Sequence, residues 1–184
     1  AQSEAATGKK WVNYWLHNEW LTLRKGKMSK SKGSFIRLDD LIKKGYDPLD
    51  FRYFCLGTHY RNPLIFSYEA LDAARTGRKK LFEKVIEFKT NSGDKHGNDN
   101  FKAQKKYLNQ FTKEINEDLN TSKALATMWQ VIKDEKLNNH DKYFLLLEFD
   151  KVLGFEFGNI KGDKIPKNIV DLAEERLNAR TEQD

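Results

Sequence analysis

The sequence predicts a mainly α-helical protein: an antiparallel helical bundle preceded by a small α+β head with short strands. Three observations predict it. Beyond Ser67, apolar residues recur at steps of three and four over several long stretches. Before Phe66 they form short aromatic, β-favouring runs cut by Gly and Pro. The charge divides at the same place. Residues 1–66 hold twelve Lys/Arg against six Asp/Glu, and residues 67–184 hold twenty-one of each, so the whole formal +6 lies in the head. The expected organisation is a head at 1–66, a bundle at 67–165 and the start of a further helix at 166–184.

Each element has a local reason. Residues 1–8 read as the last turns of a helix, with Gly8 as the left-handed cap. Trp11 to Leu16 and Trp20 to Leu23 read as two short strands or an extended pair. A polar, basic loop from Arg24 to Ser34 is bracketed by Gly26 and Gly33. Residues 38–45 make a short helix closed by Gly45. Asp47-Pro48 starts the next, because Asp caps and Pro tolerates the first helical position; it should reach about Thr58. Asn62-Pro63 breaks the chain.

Ser67 then caps a long amphipathic helix over about 68–89, with Leu71, Ala74, Leu81, Val85 and Phe88 on its apolar stripe. Residues 90–100 hold no large apolar side chain and read as a loop. A helix at about 101–118 should bury Phe101, Leu108, Phe111 and Ile115. Thr121 or Ser122 caps the next, which carries Leu125, Met128, Trp129 and Ile132. A further helix at about 140–153 carries Tyr143, Phe144, Leu146, Leu147 and Val152, and Gly154 ends it. A last helix begins after Pro166.

Composition excludes several classes. Charged residues make up 33% of the chain, but 39% apolar residues supply a core, which argues against disorder. No apolar run approaches the ~20 residues a membrane span needs, so no membrane association is expected. The first residues have no basic start and no apolar run, unlike a signal peptide. One cysteine, Cys55, makes neither an internal disulfide nor a multi-cysteine zinc site, which fits a reducing cytosol. The chain does not begin with Met and is expected to be a piece of something longer.

The positive charge narrows to one stretch. Arg24, Lys25, Lys27, Lys30, Lys32 and Arg37 fall together with no acid between Glu19 and Asp39, which suits a polyanion such as nucleotide phosphate or an RNA backbone. Within it stands Lys27-Met28-Ser29-Lys30-Ser31, followed by Lys32-Gly33. Each ammonium is a point donor to phosphate oxygens, and Ser29 and Ser31 add neutral donors. Flanking glycines let the backbone approach a triphosphate and let the loop close.

KMSKS is the hallmark nucleotide loop of class I aminoacyl-tRNA synthetases. Its surroundings resemble the cysteinyl-tRNA synthetase family: AQSEAATG, YWLHN, KMSKSKG, Arg52-Tyr53-Phe54, His59-Tyr60-Arg61-Asn62-Pro63-Leu64, Asp118-Leu119-Asn120-Thr121 with Lys123-Ala124-Leu125, and Ala173-Glu174-Glu175-Arg176 with Ala179-Arg180. The resemblance covers almost the whole chain, more weakly at 90–110 and 134–165. It implies a class I helical bundle of the anticodon-binding type, behind the end of a catalytic domain and its connecting fold. It implies an enzyme that activates cysteine with ATP and passes the cysteinyl group to tRNA in the cytoplasm.

By the same resemblance Lys27, Met28, Ser29, Lys30 and Ser31 bind ATP with its Mg2+. Lys30 first and Lys27 second carry the catalytic charge. The family's adenosine platform and zinc ligands are expected upstream of Ala1, so this piece alone is expected to be inactive and to hold no zinc. Ser34 and Glu19 depart from the family's usual Asn and Gly. Two rivals stay open: a nucleic-acid-binding helical module without catalysis, and another class I synthetase of the methionyl type.

Other candidates have bland alternatives. His59-Tyr60-Arg61 either touches the tRNA acceptor end, with Arg61 on phosphate, or forms a structural corner joining two helices. Arg75, Arg78, Lys79 and Lys80 are either a second phosphate-contacting patch, with Lys79 and Lys80 on tRNA, or the solvated face of the long helix. His17, His59, His96 and His140 show no metal-ligand spacing.

Overall fold

The computed structural model describes residues 2–23, 36–92 and 100–160. The first element, α1 (Gln2–Thr7), ends at Gly8, whose φ of +64° and N–H bond to the Glu4 carbonyl (2.8 Å) close it. Of the two strands expected next, only the second forms. Strand β1 (Leu21–Leu23) pairs in parallel with β2 (Leu64–Phe66), in the register Leu21–Leu64, Thr22–Ile65 and Leu23–Phe66. Two flanking bonds extend this contact, from Glu19 N–H to the Tyr60 carbonyl and from Leu64 N–H to the Trp20 carbonyl. The Trp11–Leu16 run is not a strand, and Trp11, Tyr14, Trp15 and Leu16 are exposed. Strand propensity measures fit to a half-buried pleated surface, and among the described residues no neighbouring strand supplies that surface here.

The short helices follow the predicted caps. Helix α2 (Leu38–Lys43) is held by Arg37 N–H on Asp40 Oδ2 (2.9 Å) and closed by Gly45 at φ +82°. Helix α3 (Pro48–Leu56) starts with reciprocal bonds, Leu49 N–H to Asp47 Oδ1 and Asp47 N–H to Asp50 Oδ2. It stops two residues short of Thr58, at Gly57. Leu41, Phe66 and Leu71, with Leu21, Leu23, Ile36 and Phe54 against them, form a small apolar cluster.

The bundle begins at α4 (Tyr68–Asn91), capped by Ser67 Oγ on Ala70 N–H (3.1 Å). The helix runs further than expected, into the sequence read as a loop. Its buried line is Leu71, Ala74, Arg78, Leu81, Val85 and Phe88. Arg78 therefore leaves the solvated face assigned to it. It lies on the stripe of Ala74 and Leu81 by helical geometry, is 8% exposed, and meets Asp50 at 2.6 Å and Asp47 at 3.6 Å.

Three helices complete the bundle: α5 (Phe101–Asn116), α6 (Thr121–Lys133) and α7 (Asn139–Leu153). Helix α4 packs on α3 and α7, and α5 packs on α6 and α7. The α5 register differs from expectation. Phe101 is 72% exposed, while Gln104, Tyr107 and Phe111 are buried. Gln104 goes in because its amide donates to the buried carboxylate of Asp141 (2.5 Å), so its polarity is satisfied inside. Asn120, rather than Thr121 or Ser122, caps α6 by accepting from Lys123 N–H. In α7 the buried apolar residues are Leu145, Leu146, Phe149 and Leu153, with Phe144 and Val152 exposed.

Phe111 stacks on Phe149 at 4.2 Å, in a core with Met128, Val131, Phe155 and Phe157. Each such side chain contributes about 1.5–3 kcal/mol by burial. Arg52 reaches from α3 to donate to the Leu153 carbonyl at the end of α7 (2.5 Å). The helix expected after Pro166 lies outside the described residues.

Candidate functional site

The lysine-rich segment that carries the sequence-predicted chemistry, Lys27, Met28, Ser29, Lys30 and Ser31, lies outside the described residues. Its two stems do not. Leu23 ends β1 against Phe66, and Ile36 packs on the same cluster of Leu41, Phe66 and Leu71. Arg37 then enters α2. The two described flanks, Leu23 and Ile36, therefore meet at one small apolar cluster.

The His59-Tyr60-Arg61 corner is tied to a turn far along the chain. Asp118 sits between α5 and α6 and receives all three side chains. The Tyr60 hydroxyl donates to Asp118 Oδ1 (2.5 Å), Arg61 Nε meets Oδ2 (2.6 Å), and His59 Nε2 meets the Asp118 carbonyl (2.9 Å). His59 Nδ1 accepts from Arg61 N–H (3.3 Å), which assigns the ring proton to Nε2 and makes it the donor to that carbonyl. Asp118 and Leu119 both adopt left-handed backbone, at φ +58° and +53°. That conformation is disfavoured for L-residues, so the side-chain ties hold a turn the backbone alone would not choose.

The electrostatics follow from these contacts. The Tyr60 hydrogen bond, then Arg61, hold the Asp118 carboxyl below the usual carboxylate range. The same hydrogen bond pushes the Tyr60 phenol up, and Asp118 and Tyr60 together raise Arg61. Arg61 is engaged in the corner, yet its side chain remains 66% exposed. The structural-corner alternative describes these contacts, and the exposed edge of the guanidinium remains available to an anion. Lys79 and Lys80 stand on the exposed face of α4, an element away from this corner.

Beside the corner lies a mostly apolar cleft of about 420 Å3, lined among others by Leu16, Leu21, Cys55, Leu56, His59 and Leu119. Burial pushes the Cys55 thiol up, so it is a poor nucleophile and a poor ligand. Among the described residues no three of His, Cys, Asp or Glu come together as a metal site, so these residues do not fit a zinc ion. Glu19, one of the two departures, lies just before β1, with its N–H on the Tyr60 carbonyl and its carboxylate accepting from Trp20 N–H.

Sequence reasoning missed Asp118 as the partner of the corner. The usable signal was Asp118 in the Asp-Leu-Asn run, since Asp tolerates left-handed backbone better than most residues. It also missed Asp50 as the buried partner of Arg78.

Comparison with known proteins agrees with the residues quoted from the sequence. Residues 1–76 match the family of tRNA synthetases class I (C) catalytic domain. Over its full length the chain is 39% identical to a cysteine–tRNA ligase of Treponema denticola, of which it covers 42%. It is 34% identical to one of Borreliella burgdorferi, covering 41%, and 38% identical to cysteine–tRNA ligase 1 of Burkholderia lata, covering 38%, in both cases over the whole chain. It therefore spans about two fifths of the length of these relatives.

Proposed function

The chain belongs to the cysteinyl-tRNA synthetase family, and from that premise we propose that it is the part of a cytoplasmic cysteine–tRNA ligase that carries the nucleotide loop and the tRNA-side helical bundle. The full-length similarity, with Lys27-Met28-Ser29-Lys30-Ser31 at its centre, is the observation that carries this reading. Residues 1–66 serve as the end of the catalytic domain with its connecting fold, 67–165 as the bundle, and 166–184 as the start of the next helix.

The chemistry proceeds in two steps. A carboxylate oxygen of cysteine attacks the α-phosphorus of ATP, the bond to the β-phosphate breaks, and pyrophosphate leaves. A hydroxyl of the terminal ribose of tRNA then attacks the activated carbonyl, and AMP leaves. Negative charge grows on the α-phosphate and the leaving pyrophosphate in the first step. Preorganised ammonium groups there lower the transition state more than the ground state. Lys30 takes that role first and Lys27 second, with Ser29, Ser31 and the backbone at Met28 completing the loop. Mg2+ bound with ATP supplies further charge neutralisation on the phosphates. Zinc, where the family uses it, belongs to residues outside this chain. Arg61, Lys79 and Lys80 are proposed contacts to tRNA phosphates.

The test is cysteine-dependent ATP–pyrophosphate exchange and charging of tRNA by the protein that carries this chain at full length. Exchange that responds to cysteine and not to methionine supports the reading. Exchange with methionine would favour the methionyl type, and tRNA binding without any exchange would favour a non-catalytic module.

A further inference from the structure

Helix α5 carries one of the bundle's most one-signed surfaces. Lys102, Lys105, Lys106 and Lys113 are all exposed, as are Asn109 and Thr112 between them. Positions three, four and seven apart share a helix face, so these six line one stripe. At 1.5 Å per residue it runs for about 16 Å. The single carboxylate within α5, Glu114, is turned inward with a side chain 16% exposed, and it lies near Lys123 on α6. The buried face, Gln104, Tyr107 and Phe111, is on the other side.

Folding explains only part of this charge: Lys106 lies over the Tyr107 ring (5.4 Å to the centroid), and Lys113 in the last turn suits the helix dipole. Among the described residues none of the four lysines meets a carboxylate, whereas Lys84 and Lys151 each hold a glutamate one turn away, Glu87 and Glu148. Lys102 lies in the first turn of α5, which has no acidic residue. There the helix dipole disfavours a cation. A stripe of one sign, with no carboxylate partner among the described residues, is suited to an outside anion. The side chains are compact ammonium groups interleaved with an amide and a hydroxyl, without arginine or an exposed tryptophan or tyrosine. That set follows a repeated phosphate and does not read base edges.

We infer that the exposed face of α5 is a track for the sugar-phosphate backbone of RNA, a contact surface separate from Arg61, Lys79 and Lys80. The inference rests on the reading of the chain as part of a tRNA-handling enzyme, and it names which face of the bundle meets the RNA.

The experiment compares the full chain with its Lys102→Gln/Lys106→Gln/Lys113→Gln variant, using unfractionated tRNA as probe and titrating salt. Gln is nearly as good a helix former as Lys, so the fold should persist, checked by circular dichroism. Three lost phosphate contacts should lower the steepness of log K against log salt by roughly 2 and weaken binding about ten-fold or more at low salt. Lys84→Gln/Lys151→Gln, which removes charge elsewhere, should leave the slope unchanged. Equal slope and affinity in the triple variant would overturn the α5 track while leaving the enzyme reading intact. Lost affinity with an unchanged slope, or an equal loss in the control variant, would overturn it as well. If the unmodified chain binds no tRNA even at low salt, the tRNA-side reading falls and the track with it.

Discussion

The hydroxyl of Tyr60 donates a 2.5 Å hydrogen bond to the carboxylate of Asp118, joining the corner after α3 to the turn between α5 and α6. Head and bundle are thereby fastened at a point where neither has regular structure. The two groups shift each other's titration in opposite directions, which makes the tie dependent on pH at both ends.

Asp118 has a folded pKa below its ordinary value, so its contribution is complete above about pH 3.9 and disappears as pH falls through the depressed folded value. Tyr60 has a folded pKa above its ordinary value, so its contribution is complete below about pH 10 and is lost as pH rises through the raised one. Asp118→Asn should bring the Tyr60 phenol back toward the ordinary range. The phenolate absorbance difference between each protein and its Tyr60→Phe partner reads this out. A Tyr60 that already titrates like a free phenol in the unmodified chain would rule the tie out.

Asp50 and Arg78 form a buried pair at 2.6 Å, with Asp50 fully buried. Removing Arg78 leaves the buried Asp50 carboxylate facing only the more distant Arg75 Nε at 3.9 Å, so Arg78→Met should cost up to about 3–5 kcal/mol in urea unfolding. Asp50→Leu combined with Arg78→Met removes both charges and should cost clearly less than the single substitutions summed. What remains is the loss of the Asp50 bond to Asp47 N–H, about 1 kcal/mol. Strict additivity of the two substitutions would contradict this account.

Gly154 ends α7 at φ +66°, and a methyl group there would stand 2.8 Å from Arg52 Nη2. Gly154→Ala should therefore cost about 1–2 kcal/mol for the left-handed backbone and further disturb the Arg52 bond to Leu153. Gly8, at φ +64° with nothing within 4 Å of such a methyl, isolates the backbone cost. Its alanine variant should lose less. Equal losses in the two would mean that the Arg52 contact contributes nothing.

On the proposed reading, Lys30→Ala in the protein that carries this chain at full length should slow single-turnover adenylate formation by on the order of 10²–10³, the usual effect of deleting one preorganised donor. ATP affinity should change far less, because the charge acts on the transition state. Lys30→Arg should recover only part of the rate, since a planar fork does not replace a compact point charge. Lys32→Ala should do much less. A variant that binds ATP weakly but reacts at the normal single-turnover rate would make the loop a ground-state clamp.

The helix ends were legible because capping is local. Asp47-Pro48, Ser67 and Gly154 act within a few residues of themselves, and each does what its chemistry suggests. The strand partner was not legible. β propensity marks Trp11–Leu16 and Trp20–Leu23 alike, and only the second finds an edge, at Leu64–Phe66. The α5 register slipped because hydrophobicity alone favours Phe101 over Gln104, whereas Asp141 supplies a buried partner that hydrophobicity does not count. The same limit hid the corner. His59-Tyr60-Arg61 read as phosphate-binding or structural, and its partner Asp118 lies 58 residues from Tyr60, too far for any spacing rule.

The parallel pairing of β1 with β2 also sets an order of assembly. Parallel neighbours are not closed by a hairpin, so Leu21–Leu23 must wait until residues 24–63 have folded back. Bringing those ends together costs entropy that grows with the loop, whereas α5, α6 and α7 follow one another through short turns and gain their contacts from near neighbours. During synthesis Leu21–Leu23 are made before Leu64–Phe66 and find their ladder late. Trp11, Tyr14 and Trp15 are exposed even once the ladder has formed, so the head is the part of the chain most open to aggregation while it is being made.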